Sequence, residues 1–414
     1  MLKRAIAAAL LLAGSVSAAP DYTARVDRVL RETPLIDGHN DWAEQLRNQF
    51  GEKWWRADLN ADSRNFAKPL HTDIPRLRAG RVGGQFWSVY IPAEVTGPAA
   101  VKATLLQIDI VRGIARRYSD TFELANTAAD VRRIHKAGRI ASLIGVEGGH
   151  QIDNSLPVLR QYYALGVRYM TLTHVLNNDW ADSANVAPIH GGLTPFGKAV
   201  VGEMNRIGML VDLSHVSPAT MRAALEVSKA PVIFSHSSAR ALSDHPRNVP
   251  DDVLKLLAAN GGVAMVNFYP AYVTAKRFAW EADRAAEQAR AGVLALGQPE
   301  RAAALMAPWL AAHPEPRVTV AEVADQIDYV ARVAGHDHVG LGADYDGIEV
   351  TPVGLSGVDG YPVLLAELMR RGWTDAQVAA LAGGNVLRVL AAAEAVSARM
   401  RDVPAPVTTI APAP

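Results

Sequence analysis

The sequence predicts an α/β protein, a (β/α)8 TIM barrel with extra helices. Eight short apolar runs rich in β-branched residues alternate with longer segments of helical periodicity, which is the pattern of a parallel barrel. No Gly-x-Gly-x-x-Gly turn follows the first run, and this disfavours the alternative of a doubly wound open sheet. With 414 residues, 49% of them hydrophobic, the chain is long enough to form such a barrel as one domain.

The predicted strands are apolar runs bounded by polar or turn residues. They span residues 34–39, 84–90, 141–147, 168–174, 209–215, 231–236, 262–267 and 338–344. Helical patterns between them cover residues 99–117, 156–164, 194–206, 218–228 and 251–259, with extra helices predicted over 278–312 and after the last strand. The repeated strand–helix order therefore accounts for most of the chain.

The two ends of the chain differ from the rest in composition. Lys3 and Arg4 precede an apolar run too short to span a bilayer, and small residues lead up to Ala19. This order predicts a signal peptide over residues 1–19 and a periplasmic or secreted protein, with no integral membrane segment after cleavage; the alternative is the N-terminal helix of a cytosolic protein. We expect residues 20–400 to form a single (β/α)8 domain and residues 401–414, rich in Pro and Ala, to form a flexible tail.

Charge and cysteine content exclude several classes of function. The chain carries 42 basic and 42 acidic side chains, so it has no broad basic field for binding nucleic acid. It has no cysteine, which excludes disulfides, thiolate metal sites and a cysteine nucleophile. Any metal ion must therefore be held by His, Asp and Glu.

Potential ligands stand at the ends of six predicted strands. They are His39, Glu147, His174, His215, His236 and Asp344. Each one alone is explained well enough as a buried core residue or a helix cap. Because the carboxyl ends of the strands of a parallel barrel meet on one face, six of them at the same position predict a common site.

Five of the candidate residues form a predicted metal site. His39 and Asp41 are two residues apart, so on an extended strand their side chains point the same way. Glu147 is followed by two glycines and can bridge two ions with its two oxygens, while His215 and His236 close successive strands. Nitrogen and oxygen ligands without sulfur suit two Zn²⁺ ions sharing Glu147, although the same set can hold manganese or another divalent metal.

Three further residues have chemistry that a metal site can use. His174 can stabilise an oxyanion, and Asp344 can transfer a proton. Arg247, in the loop after His236, can bind a substrate carboxylate with two hydrogen bonds. The alternative for Arg247 is an exposed loop cation.

Nine motifs between about Thr33 and about Leu390 resemble one known family. They are LIDGHND at 35–41, HTDIPRL at 71–77, GGQFWS at 83–88, EGG at 147–149, LTH at 172–174, DLSH at 212–215, SHS at 235–237, RNVPDD at 247–252 and GADYDG at 342–347. In these motifs the chain resembles the membrane (renal-type) dipeptidases, zinc-dependent peptidases of family M19 with an amidohydrolase-like barrel.

The resemblance implies a role for each candidate residue. His39 and Asp41 would bind one zinc ion, His215 and His236 the other, and Glu147 both. By the same resemblance His174 and Arg247 would contact substrate, and Asp344 would bind substrate and transfer the proton.

The chain departs from the family in two features. The mammalian members are disulfide-linked and glycolipid-anchored, which a chain without cysteine or a hydrophobic C-terminal tail does not permit. The Ala-rich stretch 272–316 is longer than the core of the family requires, and it bears on substrate preference.

The expected function is therefore that of a binuclear zinc dipeptidase with a barrel of the metal-dependent hydrolase type, acting on dipeptide substrates. Other amidohydrolase-type reactions, such as N-acyl amino acid deacylation or lactone opening, remain alternatives. A periplasmic protein that binds metal or peptide without turnover is a third, although Asp344 argues against it, because a binder needs no free carboxylate beside the metals. The sequence is also compatible with a homodimer.

Overall fold

The computed structural model describes residues 22–293, 297–406 and 410. The predicted signal peptide, residues 1–19, lies outside the described residues, as do residues 407–409 and 411–414 of the predicted tail. The division into signal peptide, domain and tail therefore stays a prediction.

Eight parallel strands close into a barrel. The described chain has the strands β1 Leu35–Asn40, β2 Val82–Tyr90, β3 Phe122–Leu124, β4 Ile140–Glu147, β5 Val167–Thr171, β6 Leu210–Asp212, β7 Ile233–Phe234, β8 Val263–Val266 and β9 Val339–Leu341. The hydrogen-bonded ring runs β1, β2, β4, β5, β6, β7, β8, β9 and back to β1. The predicted barrel is confirmed, and its eight strands are those that the sequence pattern indicates.

β3 is an additional strand that the sequence analysis missed. Its three residues pair with residues 140–142 of β4, on the side where the rest of β4 pairs with β5. It lies outside the closed ring. A strand this short contains too few residues to show an alternating pattern.

Helices surround the barrel and separate its strands. They are α1 Tyr22–Glu32, α2 Trp42–Phe50, α3 Ile74–Ala79, α4 Gly97–Arg117, α5 Ala128–Lys136, α6 Leu156–Ala164, α7 Pro195–Ile207, α8 Pro218–Val227, α9 Asp251–Asn260, α10 Pro270–Val273, α11 Ala275–Arg290, α12 Pro299–Ala312, α13 Val320–Ala334, α14 Tyr361–Arg370, α15 Asp375–Ala379 and α16 Asn385–Arg399. Several begin with the expected capping chemistry, such as the reciprocal Thr127–Asp130 pair of α5. The predicted helices match these bounds within a few residues, and the Ala-rich stretch forms α10, α11 and α12.

Four barrel strands end earlier than predicted. β5, β6, β7 and β9 stop two or three residues before His174, His215, His236 and Asp344, so these four side chains lie in the loops that follow. His215 and Asp344 have φ angles of 67° and 64°, a left-handed conformation that an extended strand excludes. The predicted strand ends were therefore wrong, although the loops still deliver these residues to the same face.

Two buried carboxylates hold the loops at that face. Asp37 accepts hydrogen bonds from the backbone N–H groups of His39 at 2.7 Å and Ala343 at 3.0 Å, and from the Tyr361 hydroxyl. Hydrogen bonds to a charged group contribute about 1.5–3 kcal/mol each. Asp37 therefore fixes the end of β1 against the loop that carries Asp344.

Asp212, at the end of β6, fixes the loops that follow β6 and β7 in the same way. It accepts hydrogen bonds from the backbone N–H groups of Ser214 at 3.1 Å and Ser235 at 2.8 Å. It also accepts from the hydroxyls of Thr171 at 2.5 Å and Ser235 at 2.6 Å. The loops that carry His215 and His236 are therefore held by hydrogen bonds to the same buried carboxylate.

One helix of the described chain is long and apolar enough to cross a membrane by length and composition alone. It spans Asp375–Arg399, in which the π-helical segment Ala380–Gly384 joins α15 to α16, and 56% of its most apolar window is buried inside the protein. Burial of this extent is what a core helix of the barrel layer shows, so its composition is weak evidence for a membrane span.

Candidate metal centre

The five predicted ligands meet at the carboxyl-terminal mouth of the barrel. Each is less than a tenth exposed: His39 0%, Asp41 4%, Glu147 4%, His215 7% and His236 1%. Burying so many ionisable groups together is costly unless opposite charge compensates them. The structure therefore brings the five together in an environment that needs a cation.

Glu147 lies at the centre of this group, and its two oxygens face different histidines. Oε2 is 3.4 Å from His39 Nε2, whereas Oε1 is 2.9 Å from His215 Nε2 and 3.4 Å from His236 Nε2. The Ser88 hydroxyl donates to Oε2 at 3.2 Å. A carboxylate held this way can present one oxygen to each of two cations.

Asp41 faces His39 from an unexpected place. It precedes α2 instead of continuing β1, so the expectation that both residues share an extended strand was wrong. Its carboxylate makes no capping hydrogen bond to the helix; Oδ2 lies 3.3 Å from His39 Nε2, and buried Oδ1 has no hydrogen-bond partner among the described residues. Asp41 therefore gives up a helix cap and directs Oδ2 toward His39.

The imidazole nitrogens are oriented as metal ligands. His39 shares a hydrogen bond through Nδ1 with the Tyr169 hydroxyl at 2.8 Å, and within the described part of the chain its buried Nε2 has no hydrogen-bond partner. The Ser235 hydroxyl donates its proton to Asp212, so it accepts from Nδ1–H of His236 at 2.8 Å. A neutral His236 then carries its lone pair on Nε2, which points into the centre.

The pKa shifts agree with this orientation. Burial lowers the pKa of His236 well below its usual value, and the cationic neighbours His39 and Arg247 lower it further. Burial opposes charge on Glu147 as well, but the surrounding imidazoles of His39, His174 and His215 hold its pKa well below the ordinary value. Deprotonated Glu147 beside the neutral imidazoles of His215 and His236 is the state that binds a divalent metal. Burial opposes charge on His39, but Tyr169 and the carboxylates of Glu147 and Asp41 raise its pKa well above the usual value, so a metal ion would take the place of its proton.

His215 and His236 place their Nε2 atoms 2.8 Å apart. Burial lowers the pKa of His215 well below its usual value, so both rings are neutral. The two rings and Glu147 Oε1 thus converge on one point, which a shared cation would satisfy. The donor set of this chain fits a divalent metal.

Tyr169 was not found by sequence analysis, because it lies inside β5 without a recognisable motif. It is fully buried, and its hydroxyl fixes His39. A Cβ atom at Gly145 on β4 would lie 2.0 Å from Cζ of the Tyr169 ring, so only glycine leaves room there. In the sequence, the glycine at position 145, two residues before Glu147, is an indirect sign of this packing.

Two residues predicted as non-ligands also lie within reach of a metal. His174 Nε2 is 3.7 Å from Glu147 Oε1, and the His174 ligand atom groups with those of Glu147 and His215. Asp344 Oδ1 is 3.9 Å from His39 Nε2 and groups with His39 and Asp41. The structure brings both residues to the centre, and the division between ligand and catalytic group stays a prediction.

The surroundings of Asp344 raise the pKa of its carboxyl group. Burial raises its pKa to about 7, against the effect of His39, and the carboxylates of Asp41 and Glu147 raise it as well. Its Oδ2 accepts a hydrogen bond from Asn267 Nδ2 at 2.9 Å. A carboxyl group whose pKa lies near neutrality can both accept and return a proton.

Arg247 is buried, so the alternative of an exposed loop cation was wrong. Only 1% of the residue is exposed. Its Nη atoms donate to Ser237 Oγ at 3.3 Å and to the His236 carbonyl at 3.4 Å, Nε has no partner, and it forms no ion pair within the described chain. A buried guanidinium that lacks a carboxylate partner can bind an anionic group of a substrate.

A cavity of about 450 Å³ opens above the centre. Tyr269 and Tyr272 line it beside Arg247, and α11 adds Arg277 and Arg284. The Ala-rich stretch therefore does form one wall of the mouth. Trp42, which directly follows Asp41, packs in the core against Trp87 with 1% exposure and does not line this cavity.

Glu44 and Tyr90 also line the cavity and were missed by sequence analysis. Glu44 follows Asp41 by one helical turn, which is the only sequence signal it offers. Burial raises the pKa of Glu44 to about 7, and the nearby negative charge of Asp41 raises it too.

A closed parallel barrel with a His, Asp and Glu cluster at its carboxyl-terminal mouth defines an amidohydrolase-type metallohydrolase. The family model of the membrane dipeptidases, peptidase family M19, matches residues 23–403, and the chain belongs to this family. It is a metallo-dipeptidase, so the alternative of a binding protein without turnover is no longer supported.

Individual relatives agree with the family. The chain is 43% identical over 393 residues to the dipeptidase verJ of Clonostachys rogersoniana, covering 92% of this chain and 90% of that one. It is 26% identical to the solved probable dipeptidase PvdM of Pseudomonas aeruginosa, with a TM-score of 0.76 over 91% of this chain and 99% of that chain. A Rhodobacter sphaeroides metallopeptidase liganded with a phosphinate mimic of the dipeptide L-Ala-D-Ala shares the fold at 21% identity, with a TM-score of 0.71 over 87% of this chain and 99% of that chain.

Proposed function

We propose that the chain is a binuclear zinc dipeptidase that hydrolyses the amide bond of dipeptides. The observation that carries the proposal is the position of Glu147, whose two oxygens face separate histidine groups beneath a cavity that holds buried Arg247. His39 and Asp41 would hold one ion and His215 and His236 the other, with Glu147 shared. Zinc suits this nitrogen and oxygen set, and another divalent metal such as manganese suits it as well.

When bound, a divalent metal would supply Lewis-acid polarisation of the substrate carbonyl and would lower the pKa of water. The protein supplies the remaining groups. Arg247 binds the C-terminal carboxylate of the dipeptide and so holds the amide bond over Glu147. A substrate carboxylate is the partner that its buried guanidinium lacks within the described residues.

His174 and Asp344 act on the reacting atoms. Burial lowers the pKa of His174, so its neutral ring donates a hydrogen bond from Nε2 to the oxyanion that develops on the carbonyl. Asp344 accepts the proton of the attacking water and returns it to the nitrogen of the leaving amine, which departs as the C–N bond breaks.

Metal stoichiometry tests the shared ligand. We expect the wild-type protein to bind about two metal ions per chain, and Glu147→Ala to lose more than one of them, because the carboxylate serves both. Elemental analysis after equilibration with zinc measures this, with the exposed Glu300→Ala as the control that keeps both. An active wild-type protein that stays at one ion contradicts the binuclear proposal.

Asp344→Asn tests proton transfer. If the carboxylate only moves protons, the variant keeps its metal and binds substrate while kcat falls roughly 10²–10⁴-fold, the usual size of a general acid–base contribution. Steady-state kinetics together with elemental analysis measure both quantities. Loss of metal makes Asp344 a ligand instead, and unchanged turnover removes it from the mechanism.

Arg247→Ala tests the carboxylate site. KM for a dipeptide is expected to rise roughly tenfold or more with a much smaller fall in kcat, because a charged hydrogen bond to the substrate is lost. Amidating the C-terminus of the substrate should impair the wild type and hardly affect the variant, whereas the exposed Arg116→Ala behaves as wild type. Equal cleavage of free and amidated dipeptides by the wild type would favour the deacylase alternative.

We also propose export of the mature protein to the periplasm or the medium. The support is sequence composition: Lys3 and Arg4, the apolar run after them, and the small residues before Ala19. Intact-mass analysis of exported protein is expected to give an N-terminus at or near Ala19 or Pro20. A mature protein that still starts at Met1 contradicts cleavage.

A further inference from the structure

Glu44 is a cavity-lining carboxylate that the mechanism above does not use. It lies in the first turn of α2 and shares the cavity wall with Asp41, Tyr90 and Glu147. Among the residues that the structure describes, its oxygens accept hydrogen bonds only from the neutral amides of Asn48 at 3.0 Å and, weakly, Gln45 at 3.4 Å. No cation of the described chain forms an ion pair with it.

Helix capping and metal binding do not explain this carboxylate. An acidic residue in the first turn gains from the helix dipole, but it gains as much on the exposed face of α2. Within the described residues, Glu44 belongs to none of the groups that are close enough to share a metal ion. A third carboxylate beside Asp41 and Glu147 adds like charge at the mouth, which costs free energy unless a ligand brings positive charge.

The position of Glu44 relative to Arg247 indicates what that ligand is. Arg247 follows β7, whereas Glu44 follows β1, and β8 and β9 separate these two strands in the ring. Both residues line the same cavity, and Glu147 lines it as well. A dipeptide has a carboxylate at one end, an ammonium group at the other, and the scissile amide between them.

We propose that Glu44 binds the α-ammonium group of the dipeptide and so makes the enzyme selective for a free N-terminus. The inference rests on the dipeptidase proposal and adds the recognition of the second end. With Arg247 and Glu44 occupied together, the zwitterion is held at both ends and the amide carbonyl is fixed between them. An N-acylated substrate has no charge for Glu44 and leaves the carboxylate unpaired in the cavity.

Glu44→Gln tests the proposal, because the amide keeps the shape and removes the charge. The substrates are L-Ala-L-Ala and propanoyl-L-Ala, which differ only in the α-amino group. For the wild type, KM is expected to be roughly tenfold or more higher for propanoyl-L-Ala. The variant is expected to show a similar rise in KM for L-Ala-L-Ala, little change in kcat and no further loss on propanoyl-L-Ala.

The control is Glu52→Gln, an exposed carboxylate in the segment after α2, which should keep the wild-type preference. Elemental analysis of Glu44→Gln should give the wild-type metal content; loss of metal would make Glu44 a support of Asp41 and overturn the proposal. If Glu44→Gln raises KM for L-Lys-L-Ala but not for L-Ala-L-Ala, the proposal is also overturned, because Glu44 would then bind the lysine side chain.

Two further outcomes separate this inference from the dipeptidase proposal. If the wild type prefers L-Ala-L-Ala and Glu44→Gln retains that preference, only the role of Glu44 fails. If the wild type cleaves propanoyl-L-Ala as well as or better than L-Ala-L-Ala, both proposals fail.

Discussion

Glu147 is buried at the end of β4 with each carboxylate oxygen directed at a different set of imidazole nitrogens. Such a cluster is stable only where positive charge compensates it, since the neutral imidazoles of His215 and His236 leave the charge of the carboxylates and their own lone pairs uncompensated in a desolvated site. A divalent cation would supply that charge and would satisfy His39 Nε2 and Asp41 Oδ1, which have no hydrogen-bond partners among the described residues. The apolar layers of the barrel supply the stability that this polar mouth lacks.

A set of buried polar groups beneath the mouth keeps the ligands in place. Asp37 connects β1 with the loop of Asp344, Asp212 connects the loops of His215 and His236, and Tyr169 fixes the ring of His39. Asp37 and Asp212 accept hydrogen bonds from backbone N–H groups and hydroxyls of these loops, and such bonds define position more strictly than apolar packing does. The ligand geometry therefore depends on residues that never touch a metal or a substrate.

The cavity is lined by groups of both charges. Arg247 and, from α11, Arg277 and Arg284 line it together with the carboxylates of Glu44, Asp41 and Glu281. Charges of both signs match a zwitterion, and the proposed contacts of Arg247 and Glu44 with the two ends of a dipeptide would orient it before any chemistry occurs. The Ala-rich segment lines the cavity through α11, which contributes Arg277, Glu281 and Arg284. Trp280 of this helix donates a hydrogen bond from Nε1 to the His313 carbonyl at 2.9 Å.

The sequence by itself determined the barrel, the positions of its eight strands and the group of ionisable residues at its mouth, because strand periodicity and residue type are local properties. Tertiary structure alone decided that Arg247 is buried, that Asp41 leaves β1 to precede α2, and that Glu44 faces the cavity. It also decided the contact of Tyr169 with His39, residues 130 positions apart. Burial and partners of this kind arise only when distant segments pack together, so no local pattern encodes them.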